Sequence, residues 1–424
     1  MKIVVYPHDL GIGGSQLNAI EIAAAVQRRG HDVVILGRPG PLVEHIDRLG
    51  LEFIEAPEPW IRPTPAIVRS LTDLSKARGI DILHGYEWPP ALECLLAARK
   101  SNAAAVGTIM SMAVAPFVPK SMPLMVGTAD ILAAEHAFGR TSVELLEPPV
   151  DLELNNPDVH LDTEGFRQQW GIQSNSLVLG MVTRLADELK LEGILAAIQV
   201  AGELTGEFPV QLVIVGDGTA RTTVQEAARN VNHASGQNTV ILTGELPDPR
   251  AAYAVADISL GMGGSALRAL AFAKPLIVQG QRGFWKLLTP ESLPTFLQQG
   301  WYGTGTGVPW GAQNLASIVR EISSDTERMT TLGEFGLKTV QARFSLARAA
   351  EVQEDFYQRA IEAPSRHQVM ADTGAVGRFI AYQADRRLRG LVGKIAMDDF
   401  NARPVQSISG PRHSKGTQMK EVRT

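Results

Sequence analysis

Cysteine is nearly absent from this sequence: Cys94 is the single one among 424 residues. One thiol can form neither an intrachain disulfide nor a zinc site built from several thiolates, so the fold is stabilised by neither of these cross-links. There is also no run of about 18 apolar residues, and residues 1–6 have the pattern of a first β-strand rather than of a secretory leader. We expect a cytoplasmic protein without a membrane-spanning helix.

An excess of positive charge is also missing, since the formal net charge is −5. Nucleic-acid recognition normally needs a concentrated basic surface, so no nucleic-acid partner is expected. The 45% apolar and 20% charged residues are typical of a soluble globular enzyme. A chain of 424 residues exceeds what one hydrophobic core usually holds, which predicts two domains.

Strand-like and helix-like segments alternate in both halves of the chain. In the first half, the pattern predicts strands at 2–6, 32–37 and 80–85 and helices at 15–29 and 42–49. In the second half, it predicts strands at 177–182, 211–215, 239–242, 258–261 and 275–279 and helices at 192–204 and 222–232. Short βα connections force parallel strands, so each half is predicted to be a doubly wound α/β domain that binds ligands at the carboxyl ends of its strands.

Breaks in this alternation divide the chain into regions. Proline and asparagine are concentrated in residues 145–157, which predicts an interdomain linker there. The regions are a first domain at 1–150, a second domain at 151–345, a helix at 346–363 that closes the second domain, and a C-terminal region at 364–424. That last region predicts a basic amphipathic helix near 376–394 followed by a disordered tail.

A glycine-rich turn between a predicted strand and a predicted helix carries most of the functional information. Gly261, Gly263 and Gly264 allow a tight turn and a close approach of the backbone to a ligand. The helix that starts near Ser265 would direct free N–H groups and its positive dipole end at an anion. This turn is therefore predicted to bind a phosphate-bearing ligand.

Two further segments follow predicted strands. After the first strand, Gly13, Gly14 and the N–H of Ser15 would lie at the mouth of the first domain, but no dinucleotide fingerprint or phosphate-binding loop is complete there. After the first strand of the second domain, Arg184 and Lys190 could each make a charge-assisted hydrogen bond to a diphosphate. The alternatives are glycines that only turn the chain and cations that only solvate a loop.

The order and spacing of several motifs over residues 1–360 resemble the retaining glycosyltransferases of family 4, which have the GT-B fold. The motifs are Gly13-Gly14, Gly30–Val33, Val182–Leu185 with Lys190, Val213–Gly218, Thr243-Gly244, Tyr253–Asp257 and Ala269–Pro275. The resemblance implies two Rossmann-like domains that face each other across a cleft. It also implies a nucleoside-diphosphate-sugar as co-substrate, held mainly by the second domain, an acceptor that approaches from the first, and no required metal or cofactor.

By position in these motifs, the resemblance implies roles for individual residues. Arg184 and Lys190 would be catalytic, because they would neutralise the departing diphosphate as the sugar becomes oxocarbenium-like. The implied donor-binding residues are Gly13, Gly14, Ser15, Thr183, Gly244, Gly261, Met262, Gly263, Gly264, Ser265 and Arg268.

The sequence also departs from the family pattern. Leu260 and Arg268 stand where the family has two glutamates, of which the second accepts hydrogen bonds from ribose hydroxyls. A guanidinium has no acceptor, so either Arg268 contacts a phosphate or the base, or donor binding has been lost. Gln16 replaces an acid, and Met110 lies where a histidine is common. These changes favour an unusual donor sugar, acceptor or both.

An aromatic and ionisable segment follows the strand predicted at 80–85. The residues predicted to bind the acceptor are His84, Tyr86, Glu87 and Trp88, together with Met110 and Ser111. His84 or Glu87 could take a proton from it. The alternative is that these residues serve packing.

The sequence thus predicts a retaining, metal-independent, hexosyltransferase-like enzyme that glycosylates a small molecule in secondary-metabolite or antibiotic biosynthesis. A more specific hypothesis is transfer from a guanosine-diphosphate-linked sugar to a thiol, as in lincosamide pathways. One alternative is a noncatalytic GT-B-like protein that binds a nucleotide or a partner. Another is a peripheral-membrane enzyme with a lipid acceptor, whose basic helix contacts anionic headgroups.

Overall fold

The computed structural model describes residues 1–59, 62–307, 311–363, 373–391 and 400. Two sheets, each flanked by helices, form two lobes. The elements of the first lobe are β1 (Lys2–Tyr6), α1 (Gly14–Arg28), β2 (Asp32–Gly37), α2 (Val43–Arg48), β3 (Glu52–Glu55), α3 (Pro65–Arg78), β4 (Ile82–Tyr86), α4 (Trp88–Ala98), β5 (Ala104–Ile109), β6 (Leu124–Val126), α5 (Ala129–Phe138) and β7 (Val143–Leu145).

The second lobe repeats this alternation. Its elements are α6 (Thr163–Trp170), β8 (Leu177–Val182), α7 (Leu191–Leu204), β9 (Val210–Val215), α8 (Arg221–Ser235), β10 (Val240–Gly244), α9 (Arg250–Val255), β11 (Ile258–Gly261), α10 (Gly264–Ala271), β12 (Leu276–Gln279), β13 (Trp285–Leu287), α11 (Leu293–Gln299), α12 (Gly311–Ser323) and α13 (Thr326–Arg343). Two more helices, α14 (Leu346–Glu362) and α15 (Thr373–Leu391), follow.

The strand order defines one switch point in each sheet, where crossovers on the two sides run in opposite directions. The first sheet has the order β3-β2-β1-β4-β5-β6-β7 and is parallel throughout. The second has the order β10-β9-β8-β11-β12-β13, with β13 antiparallel at its edge. The switch points therefore lie between β1 and β4 and between β8 and β11, where ligands of open α/β sheets bind.

Burial explains why these segments form central strands. Every residue of β4 and of β9 is buried, as expected for strands covered by helices on both faces. The predicted doubly wound α/β architecture is confirmed.

Helix α14 packs on the first lobe, although it was predicted to close the second. Phe356 and Tyr357 are buried in the core cluster that includes residues of β1, β2 and α1. On its outer side, Glu354 pairs with His31 of the first lobe at 3.0 Å. The prediction was wrong about the lobe because helical spacing shows that one face is buried, but not which surface covers it.

The chain crosses between the lobes twice, and the two crossings are hydrogen-bonded to each other. The N–H of Val150 donates to the carbonyl of Phe344 at 2.8 Å, and the N–H of Leu346 donates to the carbonyl of Val150 at 3.0 Å. The predicted linker and the start of α14 therefore form one paired hinge.

The C-terminal region is described only in part. The predicted basic helix corresponds to α15, which packs on the first lobe through an aromatic cluster that includes Phe379 and Tyr382. The last residues of the predicted helix, 392–394, and the predicted tail at 395–424, apart from residue 400, lie outside the described residues. Among the residues that are described, no helix is long and apolar enough to cross a membrane.

Candidate active site

The turn at the start of α10 lies at the switch point of the second lobe. Gly263 has φ 57° and ψ −134°, a conformation that favours glycine, and its N–H donates to the carbonyl of Trp301 at 2.9 Å. In the described residues no side chain caps α10, so the amides of Gly264 and Ser265 point out of the helix start without an intrahelical acceptor. The hydroxyl of Ser265 donates to the carbonyl of Met262 at 3.0 Å. The turn can therefore bind an anion through main-chain amides.

Two cations lie in the loop that follows β8, the strand that pairs with β11. Thr183 and Arg184 directly follow β8, which pairs with β11, and Lys190 immediately precedes α7. Arg184 is exposed and Lys190 is half-buried. In the described part of the chain, neither side chain has an ion-pair or hydrogen-bond partner.

The electrostatics of Lys190 reflect this arrangement. Burial, with a further contribution from the charge of Arg184, lowers the pKa of Lys190 to about 8. Two cations close enough to perturb each other are destabilised until an anion lies between or beside them. A diphosphate bound at the amides of α10 would supply that negative charge.

A buried amide and a carboxylate that the sequence analysis missed hold this segment in place. Gln279, at the end of β12, is 1% exposed and donates from Nε2 to the carbonyl of Lys190 at 3.0 Å. Leu189 has φ 64°, which strains a residue with a side chain. Glu192, in the first turn of α7, accepts from the amide of Arg282 at 3.1 Å. A polar residue ending the apolar strand 276–279 was the available signal for Gln279.

The other predicted donor residues of this lobe share the same edge of the sheet. Thr183 and Met262 are nearly buried, and Gly261 ends β11. Gly244 ends β10, two strands away from β8, and its carbonyl accepts from the amide of Gly216 at 2.8 Å. Gly244 therefore lies farther from the α10 turn than the other residues do.

In the first lobe, Glu87 joins the predicted acceptor residues to the β1–α1 turn. It follows β4 with φ 69°, a strained conformation, and is 7% exposed. Its carboxylate accepts from the hydroxyl of Ser15 at 2.8 Å and from the amide of Met110 at 3.0 Å, and also from the hydroxyl of Ser111. The structure brings these four residues together. With several donors already bound, this carboxylate is suited to positioning the two loops.

His84 and Tyr86 do not reach the acceptor side, contrary to the prediction. Both are fully buried, and the ring of His84 is hydrogen-bonded to Tyr357 Oη at 2.6 Å and to Thr108 Oγ1 at 2.8 Å. The hydroxyl of Tyr86 donates to Gln353 of α14 at 3.0 Å. Burial lowers the pKa of His84 to about 3, so its ring is neutral. The prediction failed because α14 covers this face of β4.

The β1–α1 turn is organised by Asp9, which the sequence analysis did not single out. Its carboxylate accepts from the amide of Gly11 at 2.7 Å and from Gln16 Nε2 at 2.9 Å, and it pairs with His8 at 2.8 Å. Burial opposes ionisation, but His8, Gln16 and Gly11 together hold the pKa of Asp9 at about 2. A Cβ at Gly13 would lie 2.4 Å from Gln16 Oε1, so a side chain there would displace the Gln16 amide from its contact with Asp9. Gly14, by contrast, has open space around it.

Arg268 forms an ion pair across the two lobes. Its Nη2 donates to both carboxylate oxygens of Glu21 on α1, at 3.1 and 3.2 Å, and each side chain is 15% exposed. His45 of α2 lies 4.0 Å from the same carboxylate. A donor could contact Arg268 only by sharing it with Glu21 or by displacing Glu21. Nothing in the sequence pattern of α1 distinguished Glu21 as the partner.

Metal ligands are not grouped in the described part of the chain. No set of three or more His, Cys, Asp or Glu side chains among those residues is placed to hold a metal ion.

Two family profiles match the sequence, one in each lobe. The profile described as glycosyl transferase 4-like domain matches residues 13–140, and that described as glycosyl transferases group 1 matches residues 176–294. Among curated proteins, no sequence match is found.

Several solved structures share the fold at low sequence identity. A glycosyltransferase from Rickettsia africae is 16% identical with a TM-score of 0.65, over 85% of this chain and 98% of that one. HepE from Anabaena in complex with UDP is 16% identical with a TM-score of 0.66, over 84% and 100%. Sucrose-phosphate synthase from Thermosynechococcus elongatus is 15% identical with a TM-score of 0.65, over 85% and 99%. The predicted GT-B fold is thereby confirmed.

Proposed function

The chain belongs to the glycosyltransferase 4-like enzymes of the GT-B fold, and we propose that it transfers a sugar from a nucleoside-diphosphate-sugar to a small-molecule acceptor. We further propose that the reaction retains the anomeric configuration and needs no metal ion. The observation that most supports the proposal is the half-buried Lys190 near Arg184 together with the start of α10, neither of which has a side-chain partner among the described residues.

In this proposal the diphosphate of the donor lies against the amides of Gly264 and Ser265, with Lys190 and Arg184 on its other side. When the bond from the anomeric carbon to the phosphate oxygen breaks, its electron pair stays on that oxygen. The two cations stabilise the added negative charge, and a preorganised site of this kind is often the largest catalytic contribution. The acceptor heteroatom bonds to the same face of the sugar, and its proton passes to the departing phosphate.

The first lobe supplies the acceptor side. Glu87 fixes Ser15 and the loop at Met110 and Ser111, so the wall facing the sugar is built before any ligand arrives. Such preorganisation lets the acceptor be held in reacting geometry without further ordering of the protein. His84 and Tyr86 support this wall from beneath and do not touch the acceptor.

The acceptor belongs, in our proposal, to a specialised cytoplasmic pathway such as natural-product or antibiotic biosynthesis. This is supported by the unusual residues Leu260 and Arg268, of which Arg268 is already engaged by Glu21. The nucleotide must then be recognised differently from a site that offers a carboxylate to the ribose at this position. A thiol acceptor with a guanosine-diphosphate-linked sugar is the most specific form of the hypothesis.

The test is release of nucleoside diphosphate from a panel of uridine, guanosine and thymidine diphosphate sugars. Arg184→Ala and Lys190→Ala should each weaken diphosphate binding by about tenfold or more, corresponding to about 1.4 kcal/mol. Lys286→Ala is the matched control, since Lys286 is exposed on β13. Unchanged affinity in both site variants would remove the proposed leaving-group site.

A noncatalytic nucleotide-binding protein is the second candidate. It is favoured by Leu260 and Arg268. An apolar and a cationic side chain stand there in place of two glutamates, whose carboxylates could accept hydrogen bonds. Tight diphosphate binding that depends on Lys190, combined with no turnover of any donor with any acceptor or water, would support this candidate over the enzyme.

A further inference from the structure

Helix α15 lies outside both family matches and is fixed to the first lobe by its inner face. The ring centroids of Phe379 and Tyr382 lie 5.2 and 4.9 Å from that of Phe117, and Trp88 completes the cluster. Arg378 lies over the ring of Phe138, 5.4 Å from its centroid. These contacts fix the orientation of the helix, so its opposite face is a defined surface.

That outer face is unusually apolar for a surface. Ile380 and Leu388 are 63% and 65% exposed, whereas the other exposed large apolar residues described, Ile12 and Leu154, reach only 39% and 46%. Exposed Ala384 lies one turn from each of them along the helix. Side chains at this spacing lie on one helical face, so the three form a continuous apolar stripe.

Positive charge borders this stripe. Arg386 and Arg387 are exposed and, within the described residues, have no ion-pair partner, whereas Arg389 is paired with Asp385 at 2.7 Å. Residues 373–391 contain four arginines and one acid, a net charge of +3 in a chain whose formal net charge is −5. The charge is therefore concentrated on the helix that exposes the stripe.

We propose that the outer face of α15 docks on the surface of an anionic lipid bilayer. An exposed apolar stripe flanked by arginines is the pattern of a helix that lies in the plane of the interface, with its apolar side chains below the headgroups. Ile380 and Leu388 would enter the bilayer, while Arg386 and Arg387 contact lipid phosphates. The proposal does not depend on the transferase reaction.

Charge complementarity favours an anionic bilayer over two other possible partners of this helix face, a second copy of the chain and the chain's own C-terminal segment. A second copy of the chain, placed stripe to stripe, would bring Arg386 and Arg387 of both copies together. The chain's own segment 401–424 has five basic residues and one acid, so its charge has the same sign as that of α15 and does not complement it. An anionic bilayer complements both the stripe and its charge.

Docking through α15 would also bring the acceptor side of the protein to the membrane. Trp88, which contacts Phe379 and Tyr382, directly follows Glu87 in the chain. The wall built by Glu87 is thus connected to α15 through a single residue, so docking would place this wall near the bilayer.

The test is co-sedimentation of the full chain with phosphatidylcholine vesicles, with and without phosphatidylglycerol. Binding is expected only with the anionic lipid and should weaken as salt is added. Each exposed arginine is expected to contribute about fivefold, so Arg386→Ala/Arg387→Ala should bind roughly 25-fold more weakly. Ile380→Ser/Leu388→Ser should bind about tenfold more weakly or worse.

The matched control is Arg229→Ala/Arg348→Ala, which removes the same charge from exposed arginines on α8 and α14 and should bind like wild type. Circular dichroism should show every variant folded, because all substituted side chains are at the surface. The proposal is overturned if the full chain fails to sediment with anionic vesicles, or if the control loses as much binding as the α15 variants. It is also overturned if Ile380→Ser/Leu388→Ser converts a dimer into a monomer in sedimentation velocity.

Discussion

The affinity of the protein for a nucleoside diphosphate should fall as the pH rises past the pKa of Lys190. Burial and the neighbouring Arg184 lower that pKa to about 8, so the free ammonium loses its proton within an accessible pH range. The diphosphate itself does not titrate there, because its last ionisation is complete by about pH 7.5. The protonated form of Lys190 is the one that binds the anion.

The expected fall in diphosphate affinity follows from the free energy needed to protonate the amine of Lys190 before the anion binds. Below about pH 8 the site is already charged and affinity is constant; above it, each pH unit costs about 1.4 kcal/mol, or tenfold. Affinity at about pH 9.5 should therefore be roughly thirtyfold weaker than at about pH 7.5. Lys190→Arg stays charged throughout and should show no such decline, because a guanidinium titrates only above about pH 12.

Isothermal titration calorimetry with uridine and guanosine diphosphates at constant ionic strength measures this directly. Lys190→Met should bind weakly at every pH and with no pH dependence. Lys286→Met, altered at an exposed lysine, should keep the wild-type profile. The reasoning is refuted if wild-type affinity is constant up to about pH 9.5, or if Lys190→Arg retains the decline.

Three further outcomes follow from buried or strained groups. Arg268→Met should lower the thermal midpoint more than Arg268→Met/Glu21→Met does, because the single variant leaves the mostly buried carboxylate of Glu21 with, among the described residues, only His45 nearby, at a cost of up to about 3–5 kcal/mol; an equal loss in both would contradict this account of the pair. The neutral form of His84 is favoured in the folded protein, whose pKa for this group is about 3, so stability should decline as pH falls from about 6.5 toward 3. His84→Gln should show a shallower decline in thermal melts, and parallel curves would disprove the role of His84. Gly263→Ala, at φ 57°, has space for the methyl group but should cost about 1–3 kcal/mol of strain and weaken diphosphate binding; wild-type affinity and stability together would show that the turn tolerates a side chain.

Local patterns predicted β1, β2, β4 and β8 to β12, because buried parallel strands are short apolar runs bounded by turns, but they did not predict β3, β5, β6, β7 or β13. The segments predicted at 177–182 and 258–261 coincide with β8 and β11, and the glycine turn after 261 does open α10. Glu87, Met110 and Ser111 were predicted on the acceptor side and Ser15 on the donor side. The structure joins all four through Glu87, since carboxyl ends of neighbouring parallel strands share an edge.

Contacts between segments that are far apart in the chain could not be predicted from the sequence pattern. Glu21 and Arg268 are separated by 247 positions, and no local periodicity relates one helix to the other. The same holds for α14, whose side chains Gln353 and Tyr357 bury Tyr86 and His84. A strand-end position therefore suggested an acceptor contact where the structure has a neutral, fully enclosed histidine.

The sequence by itself determined the α/β class, the parallel direction of the central strands and the glycine turn, because strand patterns, turn chemistry and short crossovers act over a few residues at a time. Only the tertiary structure decided that Arg268 binds Glu21, that α14 covers the first lobe, and that α15 exposes an apolar and basic face. Those outcomes depend on which surfaces meet after the two lobes have formed. Shape and charge complementarity between remote segments produces no repeating pattern of residues that the sequence alone could show.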